Sequence, residues 1–163
     1  LMTAQIANGG YKIYPKIIVE DEIKNQPIDK FTPLYEDSKN IRIVQDAMFG
    51  STNEVMGTSY RSRINDPKYQ FAGKTGTAQV KKITERDREL DLKTFEIPYE
   101  ERDHALYVAF GPYKQPRYAL SVLIEHGGNG STTAAPMAKE LFKLVIDRHV
   151  YRQSINDKKY LEI

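Results

Sequence analysis

The sequence predicts an α+β fold in which an antiparallel sheet is covered by helices near both ends of the chain. Residues 105–110 and 118–124 are apolar on both alternating faces, and the segment between them, with its Gly-Pro step, is typical of a hairpin loop. Residues 69–80 have the pattern of a third strand, which we expect beside the hairpin. Because a hairpin that is apolar on both faces must be covered, helices are expected against the sheet.

Three segments have the pattern of helices. The first ten residues resemble the last turns of a helix, with Gly9 and Gly10 suited to its C-terminal cap. From Ser38, the expected N-cap, apolar residues recur at helical spacing until Gly50. A final helix, with Pro136 in its first turn, places five side chains on one apolar face: Ala138, Leu141, Phe142, Val145 and His149.

The remaining segments are predicted to be irregular or solvated. Prolines at positions 15, 27 and 33 divide residues 11–37 into short extended pieces and turns. Residues 81–103 carry mixed charges and are expected to form a long solvated connection. We predict that residues 1–150 form the domain portion of the chain and that residues 151–163 form a polar, loosely held C-terminal tail.

Composition and charge exclude several classes of function. The 24 basic and 22 acidic residues are spread along the chain, so no strong field is available to hold a nucleic acid. No run approaches the roughly 20 apolar residues that span a bilayer. The absence of cysteine excludes disulfides, thiol nucleophiles and thiolate metal ligands. The three histidines have no paired spacing, so we expect neither a metal nor another cofactor.

The clearest chemical pattern lies in residues 71–80, whose sequence is FAGKTGTAQV. A peptide that ends in a carboxylate needs a cation and hydroxyl donors beside an exposed strand edge, where its backbone can pair as an added strand. Lys74 supplies the charge, and Thr75 and Thr77 supply the hydroxyls. Gly76 has no side chain and lets a substrate backbone come close. The tetrapeptide alone also fits an edge strand that a lysine protects, without any binding role.

This segment resembles the Lys-Thr-Gly strand of penicillin-binding proteins and active-serine β-lactamases. Other blocks follow the order of class B penicillin-binding proteins, most closely the penicillin-binding protein 2 group: Gly57-Thr58-Ser59, residues 102–113, residues 125–130 (EHGGNG) and Ala134-Ala135-Pro136. The resemblance covers almost the whole chain. It implies the C-terminal portion of the penicillin-binding transpeptidase fold.

The resemblance also implies roles for four residues. Lys74 would be a catalytic residue that faces the active site and hydrogen-bonds to a serine of the family's Ser-X-Asn motif. Thr75, Gly76 and Thr77 would bind the substrate, with both hydroxyls on the carboxylate of a stem peptide or of penicillin. The backbone N–H of Thr77 would be one donor of the oxyanion hole.

The family's nucleophile lies in a Ser-X-X-Lys motif, where the lysine shares a helix face with the serine and acts as its base. No serine of this chain has a lysine three positions later. Ser38-Lys39-Asn40 spells Ser-X-Asn, but in the family that motif precedes the segment resembling residues 1–10, so we interpret it as a helix cap. We therefore expect a truncated domain that is inactive alone.

For the full-length protein, the resemblance implies a peptidoglycan D,D-transpeptidase that cross-links stem peptides ending in D-Ala-D-Ala and is the target of β-lactams. Such a protein would be anchored in the bacterial cytoplasmic membrane, with this domain on the periplasmic face and the cell-elongation machinery as its partner. Two alternatives remain open. One is a non-catalytic cell-wall or partner-binding module, and the other is a β-lactamase or carboxypeptidase relative.

Three further clusters have simpler interpretations than a catalytic one. Glu100, Glu101 and Asp103 could transfer protons, but we favour a solvated loop. Residues 60–63, with the sequence YRSR, form a basic patch that could border the cleft, although a surface role is favoured. The glycines within residues 127–130 lack the spacing of a nucleotide fingerprint and indicate a strand-to-helix turn.

Overall fold

The computed structural model of the chain describes residues 1–15, 32–82, 85, 89 and 92–161. The fold is α+β, as the sequence predicts. Three helices, α1 (Met2–Ala7), α2 (Ser38–Asn53) and α3 (Ala135–Leu161), accompany three strands, β1 (Ala72–Ala78), β2 (His104–Gly111) and β3 (Tyr118–Ile124). Short 3-10 turns lie at Tyr60–Ser62 and Tyr99–Glu101, and a π turn at Gly130–Ala134 leads into α3.

The three strands form one antiparallel sheet in the order β1-β2-β3, so the motif strand lies beside the hairpin as expected. The register places Thr75 opposite Tyr107, which lies opposite Val122. β1 is shorter than the predicted residues 69–80. At its start, the N–H of Tyr69 instead donates to the Asp66 carbonyl at 2.9 Å and closes a turn.

The two faces of the sheet pack against different helices because side chains alternate along each strand. On one face, Tyr107 and Ala105 join a buried cluster with α3, in which Phe71 stacks on Phe142 with ring centroids 4.9 Å apart. On the other face, Ala72 and Phe110 pack with Met48 of α2. The sheet is therefore the central layer between the helices, as the two-faced hairpin predicts.

The helix ends follow the sequence signals only in part. α1 ends before Gly9 and Gly10, which both have positive φ, as predicted for a glycine cap. The prediction of Ser38 as the cap of α2 was wrong. The cap is Asp37, whose carboxylate accepts from the Lys39 N–H at 2.8 Å, so that Ser38 becomes the first helical residue.

α3 buries one apolar face, as predicted, but the buried residues are only partly the predicted ones. Ala135, Ala138, Phe142 and Ile146 are buried, whereas Leu141 is 45 % exposed. His149 is half-buried and its Nε2 lies 2.8 Å from Nη1 of Arg117. The backbone of the helix continues to Leu161, so residues 151–161 are not irregular, while the division of the chain after residue 150 remains a prediction.

The connections between these elements are described in part. Tyr11 and Pro33 form an isolated antiparallel bridge that closes the loop after α1. Of the predicted extended pieces and turns, residues 16–31, which include Pro27, lie outside the described residues. In the charged connection, the described part contains the turn Tyr99–Glu101. None of the described helices has the length and apolarity that a bilayer span requires.

Gly73 is the point where β1 packs most tightly on its neighbour. A Cβ atom there would lie 2.2 Å from the hydroxyl of Tyr107, which is fully buried. Such a distance is far below van der Waals contact, and a buried ring cannot move aside without displacing the core. The absence of a side chain at Gly73 therefore sets the spacing between β1 and the Tyr107 hydroxyl.

We expect Gly73→Ala to destabilise the protein by about 1–3 kcal/mol, because the added methyl group overpacks the contact with Tyr107. Urea unfolding measures this change. Gly50→Ala is the matched control, since Gly50 lies within α2 and its Cβ would meet only the flexible side chain of Glu54. This variant should unfold like the wild type or be up to about 1 kcal/mol more stable. Equal stability of Gly73→Ala and wild type would contradict the packing described.

A surface cluster ties α3 to the turn before β1. Lys68 Nζ donates to Asp147 at 2.9 Å, and the Tyr69 hydroxyl donates to the same carboxylate oxygen at 2.5 Å. The hydrogen bond from Tyr69, followed by that from Lys68, holds the pKa of Asp147 below its usual value. Lys68 and Asp147 are exposed, so their ion pair contributes little and is screened by salt, whereas Tyr69 is half-buried.

The contribution of this cluster should depend on pH. Because the folded-state pKa of Asp147 is depressed, its stabilising effect is fully present above the usual pKa of an aspartate, about 3.9, and is lost as the pH falls through the depressed value. Asp147→Asn should therefore lower the urea midpoint slightly at pH 7, and this difference should shrink as the pH falls through the depressed pKa of Asp147. Glu140→Gln, which alters another exposed carboxylate–lysine pair on α3, is the control. A difference for Asp147→Asn that persists at low pH would contradict this assignment.

Candidate active-site strand

The motif residues lie on β1, at an edge of the sheet. β1 pairs with β2 on one side, and the described residues place no strand on its other side. Lys74 and Thr77 are exposed, and Thr75 and Gly76 are half-buried. The edge therefore displays a cation and two hydroxyls, and no strand of the described residues pairs with it.

The Lys74 ammonium bends back along the strand. Its Nζ donates to the Thr75 carbonyl at 2.8 Å and lies 3.4 Å from Thr75 Oγ1. Adjacent side chains on a strand point to opposite faces, so this bend brings the charge of one face to the hydroxyl of the other. Lys74 also lines a groove of about 810 Å³ between α2 and β1, whose walls include Ile6, Met48 and Val108.

The Gly57-Thr58-Ser59 segment lies beside the motif strand. Thr58 Oγ1 is 3.4 Å from Thr75 Oγ1 and 3.1 Å from Ser51 Oγ, the last being on α2. Three hydroxyls therefore form a row that ends at the motif. Gly57-Thr58-Ser59 is a block of the resemblance, but its sequence alone predicts no role, since nothing in the local pattern indicates contact with a residue 17 positions away.

A second set of hydroxyls is buried beneath this row. The Tyr107 hydroxyl lies 2.9 Å from Thr52 Oγ1 and 3.0 Å from Ser59 Oγ. Ser59 Oγ also donates to the Ser51 carbonyl at 3.0 Å. Burial raises the pKa of the Tyr107 phenol, so it remains neutral and can both donate and accept. We call these three residues, Thr52, Ser59 and Tyr107, the buried hydroxyl trio.

The Gly76 position has a neighbour that the sequence did not indicate. A Cβ atom on Gly130 would lie 2.7 Å from the Gly76 carbonyl oxygen and 2.4 Å from that of Leu106. The turn that follows β3 therefore packs its backbone directly on β1 and β2, which only a glycine permits. The interpretation of the 127–130 segment as a strand-to-helix turn is confirmed, because Gly130 begins the π turn that leads into α3.

Two of the other charged candidates, Glu101 and Asp103, make contacts with the residues that follow β1. Glu101 pairs with Lys81 at 2.8 Å, and the Asp103 carboxylate accepts from the Val80 N–H at 3.2 Å, next to the end of β1. In the basic patch, Tyr60 and Arg61 line a second groove of about 550 Å³, which shares Thr58 with the first. No β1 residue lines this second groove, so the patch lies beside the Gly57-Thr58-Ser59 segment and not on the motif strand.

His104 and His126 make hydrogen bonds with the backbone at the end of the β2–β3 hairpin. His104 Nδ1 accepts from the His126 N–H at 2.9 Å, and His126 itself has a positive φ of 55°. His126 Nδ1 lies 3.1 Å from the Arg102 carbonyl, to which it can donate. Among the described residues, no three His, Asp or Glu side chains come close enough to hold a metal ion.

Comparisons with known proteins agree with this architecture. The model of the penicillin binding protein transpeptidase domain matches residues 2–143. The peptidoglycan D,D-transpeptidase MrdA of Salmonella typhimurium is 37% identical over 105 residues, which are 64% of this chain and 16% of that relative. The chain thus spans about a sixth of the length of this curated relative.

Two solved structures share the fold. Penicillin-binding protein 2 of Helicobacter pylori, in complex with MreC, superposes with a TM-score of 0.66 and 28% identity, over 89% of this chain and 23% of that one. Penicillin-binding protein 2 of Pseudomonas aeruginosa, in complex with WCK 5153, superposes with a TM-score of 0.63 and 30% identity, over 88% of this chain and 28% of that one. The predicted resemblance to this group is confirmed. The chain belongs to the penicillin-binding protein transpeptidase domain family.

Proposed function

We propose that this chain supplies the substrate-binding strand of a peptidoglycan D,D-transpeptidase of the penicillin-binding protein 2 group. The observation that carries the proposal is the display of Lys74, Thr75 and Thr77 along the edge of β1 that the described residues leave uncovered. The family membership supports the reaction class. In this proposal the donor is a stem peptide ending in D-Ala-D-Ala, and β-lactams occupy the same site.

The edge of β1 suits a terminal carboxylate. The Lys74 ammonium has three donors, and two of them are used at the carbonyl and the Oγ1 of Thr75, so the third can face an anion. Thr75 and Thr77 lie two residues apart and therefore direct their hydroxyls to the same face. A cation within 3.4 Å of one of these hydroxyls concentrates charge-assisted donors at one place. The peptide backbone can then pair with the open edge of the strand.

The chemistry requires a nucleophile from outside this chain. A serine from a Ser-X-X-Lys motif would attack the carbonyl of the penultimate D-alanine, and negative charge would develop on its oxygen. We assign the Thr77 backbone N–H as one donor to that oxyanion. The C–N bond then breaks, the terminal D-alanine leaves with a proton, and an acceptor amine attacks the acyl ester. In these steps Lys74, Thr75 and Gly76 hold and orient the donor.

The place of the whole protein in the cell belongs to the same proposal. The H. pylori relative was solved as a complex with MreC. We infer a comparable assembly with the cell-elongation machinery, on the periplasmic face of the cytoplasmic membrane. The anchor and the catalytic serine would lie in parts of the protein other than this chain.

The isolated chain should not form a covalent adduct with penicillin, because no serine in it has the lysine base of the family motif. Incubation with a fluorescent penicillin followed by denaturing electrophoresis tests this expectation. The full-length protein, incubated in parallel, should give a fluorescent band. A band on the isolated chain would contradict the assignment of the nucleophile to another segment.

Within the full-length protein, Lys74→Ala should slow acylation by penicillin roughly 10- to 100-fold, because a hydrogen bond to a charged group contributes about 1.5–3 kcal/mol. Thr77→Val should slow it roughly fivefold, since it removes one hydroxyl donor and keeps the backbone N–H. Second-order acylation rates measure both effects. Lys114→Ala, an exposed lysine in the loop between β2 and β3, is the control. Wild-type rates for Lys74→Ala would argue against this strand as the substrate site.

A further inference from the structure

We infer that Thr58 is a positioning residue of the substrate site, which directs the Thr75 hydroxyl toward the carboxylate of the donor. This inference rests on the proposed function. Thr58 Oγ1 lies 3.4 Å from Thr75 Oγ1, and Thr58 is exposed and lines both the groove that contains Lys74 and the second groove. It is therefore placed to act on the motif without belonging to the core.

The direction of the hydrogen bonds along this row of hydroxyls follows from the number of protons that each group can donate. A threonine hydroxyl has one proton to donate and two lone pairs that accept, whereas an ammonium group only donates. Thr75 Oγ1 lies within 3.4 Å of both Lys74 Nζ and Thr58 Oγ1. When Lys74 and Thr58 both donate to Thr75, its two lone pairs are filled. Its single proton is then left for the carboxylate.

Ser51 completes the row. Its Oγ lies 3.1 Å from Thr58 Oγ1 and can donate to Thr58 while Thr58 donates to Thr75. Hydrogen bonds aligned in this way polarise one another, which strengthens the last donor. The row therefore runs from α2, through the Gly57-Thr58-Ser59 turn, to the substrate strand.

The turn that carries Thr58 is fixed from below. Ser59, the next residue, is 1 % exposed and belongs to the buried hydroxyl trio. Its backbone N–H donates to the Ser51 carbonyl at 2.9 Å, and its hydroxyl donates to the same carbonyl at 3.0 Å. A buried polar group held by several partners is costly to move. The position of Thr58 relative to β1 is thus set by Ser59 and Tyr107.

A double-mutant cycle in the full-length protein tests this inference. Thr58→Val keeps the shape and removes the hydroxyl, and it should lower the second-order rate of acylation by fluorescent penicillin roughly fivefold, the effect of one neutral hydrogen bond. With a D-Ala-D-Ala stem peptide the change should appear mainly in KM. Thr58→Ser should retain most of the rate. In a Thr75→Val background, Thr58→Val should have no further effect, because Thr58 acts through Thr75.

The outcomes separate the two hypotheses. Thr94→Val, at an exposed position in the charged connection, is the control for the substitution itself and should acylate like the wild type. Equal rates for Thr58→Val and wild type, or additive losses in the cycle, overturn the role of Thr58 and leave the proposed function in place. A full-length wild type that forms no adduct overturns the proposed function and the role of Thr58 with it.

Discussion

The contact between Gly73 and the Tyr107 hydroxyl is the constraint on which the arrangement around β1 depends. Any side chain at position 73 would occupy the place of that hydroxyl, which is itself bonded to α2 through Thr52 and to the 57–62 turn through Ser59. One buried phenol thus connects the motif strand, α2 and the turn that carries Thr58. A rigid base of this kind is what allows an exposed edge to hold side chains in fixed positions.

Local patterns predicted the elements that local interactions determine. The glycines at 9 and 10 ended α1, and the alternating apolar residues gave β2 and β3 nearly to their ends. The predicted contents of helix faces were less accurate. Val44, one of the apolar residues at helical spacing in α2, is 40 % exposed, and Leu141 is more exposed than Ile146 on α3. Helical spacing shows which residues share a face, but the neighbouring elements decide which part of the face is covered.

The residues of the candidate site also differ in whether the sequence alone predicts them. Lys74, Thr75, Gly76 and Thr77 were predicted from one short segment, because their chemistry and order lie in the sequence itself. Thr58, Tyr107 and Gly130 were not, because their contacts with other parts of the chain arise only after folding. The two hydrogen bonds of Tyr107 join residues 48 and 55 positions apart, and no periodicity signals them. The supporting shell of a site is therefore harder to predict than its motif.

The position of the Lys74 ammonium explains how an exposed lysine can serve a specific role. A free lysine would lose considerable side-chain entropy on binding a carboxylate. Here the ammonium already donates to the Thr75 carbonyl at 2.8 Å, and it lines a groove in which Ile6 and Met48 lie beside the acidic residues Asp46 and Glu54. Part of the entropy loss would thus precede the binding of a carboxylate. Because two donors stay on Thr75 while the third faces outward, an anion can bind without breaking the contacts that hold the lysine in place.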